Sequence, residues 1–151
     1  MTANRDFVEL FVTFNDHGVD YLVVGAHALA AHGHVRATKD LDVWVRPSSD
    51  NSERVFAALS AFGAPLEQVV QNDFAQPGVI FQIGVAPVRI DIITRVDGLE
   101  FDEAWPDRVM STFGGIAIAV LSKHHLIQNK KASGRLQDLA DIERLQASEE
   151  S

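Results

Sequence analysis

The residues best placed to do chemistry are carboxylates. In "KDLDVWV", residues 39–45, Asp40 and Asp42 stand two apart in a run that otherwise reads as a buried β-strand. Side chains alternate along a strand, so both acids share one face with Trp44, while Leu41, Val43 and Val45 share the other. Like charges this close repel unless water solvates them or a cation is shared. Taken alone the pair fits a solvated outer face or a metal site, although Trp44 on that face argues against plain wet surface. A third acid, Asp91 in "VRIDIIT", points away from Val88, Ile90 and Ile92, with Arg89 beside it. Alone it reads as an edge or salt-bridge residue. On a strand neighbouring Asp40 and Asp42 it would complete a three-carboxylate cluster. Such hard oxygen donors suit Mg²⁺ or Mn²⁺ better than zinc.

A second feature is the turn at Gly25-Ala26, where "DYLVVG" runs into "AHALAAHG". Glycine at a strand-to-helix turn lets backbone approach a ligand closely, and the free N–H groups of the new helix attract phosphate. By itself a glycine there is equally a simple turn. Combined, the carboxylates and the turn outline a phosphoryl-transfer site. The histidines do not extend it: His27, His32 and His34 lack the i, i+4 spacing of paired ligands on a helix, and His124-His125 open a later helix. They read as structural or solvated, with His27 alone near enough to the turn for a nucleotide contact.

These groups must be positioned by a small sheet and its helices. "RDFVELFVTFNDHG" places Phe7, Leu10, Phe11 and Phe14 at helical spacing before Gly18. "SSDNSERVFAALSAFG" predicts a helix with Asp50 and Glu53 as a capping box and Gly63 as its stop. "VIFQIGV" and "VRIDIIT" predict a hairpin about Ala86-Pro87, and "GIAIAVLS" a last apolar strand. Ser122 is placed to cap a helix through "KHHLIQNKKASG". A final amphipathic helix, "RLQDLADIERLQ", is expected to turn Leu136, Leu139, Ile142 and Leu145 inward. The pattern is α/β (α+β): a mixed sheet flanked by helices with a C-terminal helical segment, read as a single domain over residues 1–151.

The composition is that of a globular protein, 46% hydrophobic and 23% charged. There is no cysteine, which excludes a disulfide framework and a thiolate site. No run of 18 uninterrupted apolar residues occurs, so no membrane span is expected, and Asp6 and Glu9 interrupt the N-terminal apolar run, arguing against a signal peptide. A cytoplasmic location is expected. The net charge of −8, from 13 basic and 21 acidic residues, disfavours extended nucleic-acid binding. One nucleotide or an RNA end could still be held locally.

The order strand, Gly25, Ala26, helix, then "RATKDLDVWV", then Asp91 in a later strand resembles the nucleotidyltransferase superfamily related to DNA polymerase beta. It is similar in particular to small stand-alone bacterial members of the abortive-infection and toxin–antitoxin kind. Those share "R-x-T-x-D-x-D", here Arg36, Thr38, Asp40 and Asp42, and a C-terminal "K…R…D" segment, here within "NKKASGRLQDLADIE". The resemblance spans Tyr21 to Glu143, with one departure: the usual second Gly or Ser is Ala26, which keeps a backbone N–H but offers no hydroxyl.

The resemblance implies a Mg²⁺- or Mn²⁺-dependent nucleotidyltransferase with an NTP as substrate. Asp40 and Asp42 would hold the metal that grips the triphosphate. Asp91 would bind a second metal and activate the attacking hydroxyl. Gly25 and Ala26, with positive charge from Lys130, Arg135 or Arg36, would hold the departing pyrophosphate, and Thr38 belongs to the same motif. Asp138 and Asp141 share one helical face, where they would orient Lys130 or Arg135, or simply face solvent. The acceptor could be a tRNA end, a protein or a small molecule, and a cognate antitoxin protein is a possible partner. A non-catalytic nucleotide- or partner-binding protein of the same fold is the main alternative. Metal-dependent phosphoester hydrolysis is another, though it leaves the Gly25 turn without a purpose.

Overall fold

The computed structural model describes residues 4–34, 40–85 and 88–150. Helix α1 (Arg5–Asp16) starts where Asn4 Oδ1 accepts the Phe7 N–H at 3.1 Å and buries Phe7, Leu10, Phe11 and Phe14. Strand β1 (Tyr21–Val24) is buried throughout and runs into the short α2 (Gly25–Ala31). Strand β2 (Asp40–Val45) is followed by α3 (Ser49–Phe62). Next come β3 (Ile80–Val85), β4 (Val88–Ile93), α4 (Phe101–Ala104), β5 (Val109–Phe113), β6 (Ile116–Val120), α5 (Lys123–Ser133) and α6 (Leu136–Glu150). The strands form one mixed sheet in the order β3-β4-β2-β1-β6-β5, as the expected α/β class requires.

Pairing register decides which side chains share a face. Val23 and Tyr21 lie opposite Val43 and Val45, and this face receives α1, with Phe11 and Phe14 against Tyr21 at 5.9 and 5.8 Å. On the other face Trp44 meets the Phe101 ring of α4 edge-on at 5.1 Å. The segment after β4 is pinned to α5: Gln128 Nε2 donates to the Gly98 carbonyl at 2.9 Å and Asn129 Nδ2 to the Asp97 carbonyl at 3.0 Å. Both faces of the central strands are therefore covered, which is why Trp44 is buried.

Three expectations need correction. The cap of α3 is Ser48, whose side chain accepts from Asn51 N, and Asp50 lies inside the first turn. Strand β5 was not expected: Ser111 and Thr112 dilute its apolar character, and it is an edge strand defined by pairing with β6 across Gly114-Gly115. Both glycines have positive φ, 57° and 82°, as a tight hairpin turn demands. Finally, of the four α6 residues expected to turn inward, Ile142 and Leu145 are buried, with Asp138 and Asp141, but Leu136 and Leu139 are 87% and 51% exposed. The reason for that difference is Lys130, as described next.

Candidate active site

Strands β2 and β4 run parallel in a register that sets Asp42 opposite Asp91 and Asp40 opposite Arg89. Neighbouring strands are about 4.8 Å apart, so the four side chains project together from one face. The Arg89 guanidinium donates from Nε and Nη2 to the two Asp91 oxygens, at 2.9 and 3.2 Å, and stands 3.6 Å from Asp40. Asp91 is only 8% exposed. Asp42 is left with too little compensation. Burial first, then the charges of Asp91 and Asp40, push its carboxyl up to about 6 despite the opposing pull of Arg89.

Gly25 faces this carboxylate. Its φ of 68° is in the left-handed region, and a Cβ there would lie 2.5 Å from Asp42 Oδ2. Glycine is thus required both by the turn and by the space that Asp42 occupies. The same face continues onto Gln82 of β3, opposite Asp91 and exposed, so the cluster is open on the side of the β3 edge.

A second charged cluster ties α5 to α6. Lys130, 6% exposed, sets its ammonium 3.3 Å from Asp138 Oδ1 and 3.0 Å from Asp141 Oδ2. Arg135 Nε reaches Asp138 Oδ2 at 2.7 Å. Burial alone would raise Asp138, but hydrogen bonds from Arg135, Ser133 and Lys130 hold it down to about 2. A buried ammonium needs paired oxygen partners, so the face of α6 that carries Asp138 and Asp141 turns inward. Arg135 is held above its ordinary value chiefly by Asp138, and the charges of Asp97 and Asp42 add to the effect. Its guanidinium is therefore within electrostatic reach of the β2–β4 carboxylates.

The sequence profile of nucleotidyltransferases of unknown function (DUF6036) matches residues 5–150. The chain belongs to this nucleotidyltransferase family. Among curated protein sequences none matches. Solved structures share the fold at low identity. A candidate nucleotidyltransferase from Thermotoga maritima, TM1012, has a TM-score of 0.62 at 14% identity over 95% of this chain and 92% of its own. The lincosamide antibiotic adenylyltransferase LnuA, in its lincomycin-bound form, gives 0.60 at 12% identity over 96% and 97%. The antibiotic-resistance factor ANT(2″)-Ia gives 0.63 at 12% identity over 97% and 83%.

In this nucleotidyltransferase the fold thus brings Gly25, Asp40, Asp42 and Asp91 together, with Ala26 next in the turn. Lys130, Arg135, Asp138 and Asp141 form the separate cluster. His27 is turned from the carboxylates: its ring meets Phe7 and Phe113 edge-on at 5.4 and 5.9 Å, beside a cavity it lines with Leu41. Arg36 and Thr38 lie outside the described residues. Two features escaped the sequence reading. Arg89 bridges two of the three acids, a role that becomes visible only once register places it opposite Asp40. A cleft of about 430 Å³ is lined by Trp44, Thr94, Arg95, Glu100, Phe101 and other residues, none of them Gly25, Asp40, Asp42 or Asp91. Its only sequence signal was Trp44, two residues beyond Asp42 on the same face.

Proposed function

We propose that the protein is a divalent-metal-dependent nucleotidyltransferase that moves a nucleoside monophosphate from an NTP to a hydroxyl of a small molecule. One observation carries this reading: three carboxylates converge against Gly25 with a single guanidinium among the described residues, and burial, then the charges of Asp91 and Asp40, raise Asp42 to about 6. The donors are hard oxygens and suit Mg²⁺ or Mn²⁺. Asp40 and Asp42 would hold an ion at the triphosphate, and Asp91, once released by Arg89, would take part in holding a second. Such ions supply charge stabilisation to the attacking and leaving oxygens.

The remaining roles belong to the chain. Asp91 receives the proton of the acceptor hydroxyl as its oxygen bonds to the α-phosphorus. The bond from that phosphorus to the bridging oxygen breaks, and pyrophosphate leaves toward the N–H groups at Gly25 and Ala26. Arg135 adds positive charge there, while Lys130 orders the α5–α6 junction that presents it. Arg36 and Thr38 complete the phosphate side by resemblance to the family. For the acceptor, the cleft beside Trp44 is of the size that takes a drug-sized molecule, and a chain of net charge −8 is poorly suited to gripping an RNA backbone.

The test is label transfer from each α-labelled NTP, with Mg²⁺, into a cell extract. Label should enter the small-molecule fraction, and Asp42→Ala should abolish it. Label in RNA or protein moves the acceptor to that class. If growth also stops on expression and a neighbouring gene product relieves it, a toxin with a cognate antitoxin is the better reading. Mg²⁺-dependent nucleotide binding without transfer would favour a non-catalytic protein, for which the missing hydroxyl at Ala26 is the supporting observation. Transfer that survives Asp42→Ala would remove this site from the chemistry.

A further inference from the structure

We infer that Asp107, His124 and His125 form a second metal site, for an ion of the zinc class, separate from the carboxylates of Asp40, Asp42 and Asp91. One ligating atom from each residue lies within 4.8 Å of the other two. His124 Nε2 stands 3.4 Å from Asp107 Oδ2. A charge-assisted hydrogen bond would draw such a pair to about 2.8 Å. Two ligands at neighbouring corners of a zinc tetrahedron, with bonds of about 2.1 Å, stand about 3.4 Å apart. The His124–Asp107 separation is compatible with two such corners, and the His125 atom lies within 4.8 Å of both.

Both imidazoles are pre-oriented. Their rings stack with centroids 4.0 Å apart, and Ser122 Oγ lies 3.2 Å from His124 Nδ1 and 2.9 Å from His125 Nδ1. One hydroxyl therefore sets how both rings are turned. A ring that donates its Nδ1–H to that oxygen presents Nε2 as a bare lone pair, the form a metal requires. His125 is buried and fixed, whereas His124 and Asp107 have side chains 60% and 54% exposed and are free to close on an ion. The start of α5 opposes a cation through its N–H dipoles, and two acids offset this: Asp107, and Glu103, whose charge also acts on His125. Two nitrogens and one oxygen select Zn²⁺, or Ni²⁺ and Cu²⁺ at higher affinity, over Mg²⁺. A bound ion would tie the turn at Asp107 to α5, the helix that carries Lys130.

The test uses the full-length, metal-free chain in excess Mg²⁺, which occupies hard oxygen sites. Co²⁺ is the spectroscopic probe and Zn²⁺ its competitor. The wild type should develop an intense visible band of tetrahedral Co²⁺, lose it to one equivalent of Zn²⁺, and unfold at a higher temperature with Zn²⁺. His124→Ala and Asp107→Ala should each weaken binding at least tenfold and remove the band. Asp42→Asn should leave both readouts unchanged. A band retained in His124→Ala, a band lost only in Asp42→Asn, or no saturable binding by the wild type would each overturn the site. In those cases Asp107 and His124 are only a surface ion pair.

Discussion

Two charged clusters in this molecule use nearly the same residues to opposite effect. At the β2–β4 face, Asp40, Asp42 and Asp91 share one guanidinium, and Asp42 is pushed up to about 6. At the α5–α6 junction, Asp138 and Asp141 meet Lys130 and Arg135, and Asp138 is held down to about 2. Burial differs as well: Asp138 and Asp141 are buried, whereas of the sheet acids only Asp91 is, with Asp40 and Asp42 half-buried. Among the described residues the count of cations differs too, one guanidinium for three acids against an ammonium and a guanidinium for two. The junction is electrically complete and its geometry is self-supporting. Among the described residues the sheet face carries one guanidinium for three carboxylates, and it lies open beside exposed Gln82. In a region with balanced charge, ionisable residues build structure. Where the balance is short they are available to a ligand, as proposed for Asp40, Asp42 and Asp91.

Substitutions should therefore divide by cluster, activity from one and stability from the other. Asp42→Asn keeps the shape and removes one like charge. Nucleotidyl transfer should fall by about 10³-fold or more, the several kcal/mol that a bound metal supplies at about 1.4 kcal/mol per tenfold. Urea unfolding of the same variant should show stability unchanged or raised, because repulsion is relieved. A loss above ~2 kcal/mol would put the sheet face among the structural parts. Lys130→Met should do the reverse. It leaves Asp138 and Asp141 buried without their ammonium, and stability should fall by about 3–5 kcal/mol in the same measurement. An unchanged urea midpoint would contradict the balance assigned to the junction.

Acid separates the clusters by sign. The folded chain keeps a proton on Asp42 up to about 6, whereas the ordinary value is 3.8. The folded state therefore binds more protons between those values, and this group's contribution to stability declines as pH rises from about 4 to 6. Asp138 works the other way: its contribution is present above 3.8 and is lost as pH falls toward about 2. If Asp42 holds Mg²⁺ as proposed, it must be ionised, so below pH ~6 binding should release a proton and affinity should drop up to tenfold per pH unit. Calorimetry in two buffers of different ionisation enthalpy reads the proton directly. Release that persists in Asp42→Asn would assign the raised value to another carboxyl.

The parts of the site legible in the sequence were those fixed by local rules. Strand alternation placed Asp40 and Asp42 on one face, and the strand-to-helix turn marked Gly25, where the structure has a positive φ. Asp91 joined them only through resemblance to a family, because no local rule says that β4 lies beside β2. The opposition of Asp42 to Asp91, and of Arg89 to Asp40, is a property of register. Strand β5 was missed because an edge strand needs no continuous apolar run; the Gly114-Gly115 pair was its available signal. The face of α6 was misjudged in part, for a related reason. Hydropathy selected Leu136, Leu139, Ile142 and Leu145; the last two are buried as expected, whereas the first two are exposed. The choice was decided instead by the buried ammonium of Lys130, on a different helix.

That last point yields the smallest expected effect and a sharp check on the comparison. If α6 is seated by Asp138, Asp141, Ile142 and Leu145, then Leu136 and Leu139 contribute little to its docking. Replacing both with Ser and Gln should shift stability by no more than about 0.5 kcal/mol, the ordinary cost of surface changes. Leu145→Ala, on the buried side of the same helix, should cost about 2–5 kcal/mol. Paired urea denaturation of the two variants reads the ratio between the stripes, which is independent of any assumption about absolute stability. Equal losses would mean that α6 is seated through its apolar stripe after all. The inward acids would then be a consequence of docking, and the balance of charge at Lys130 would no longer explain why the helix turns that face to the core.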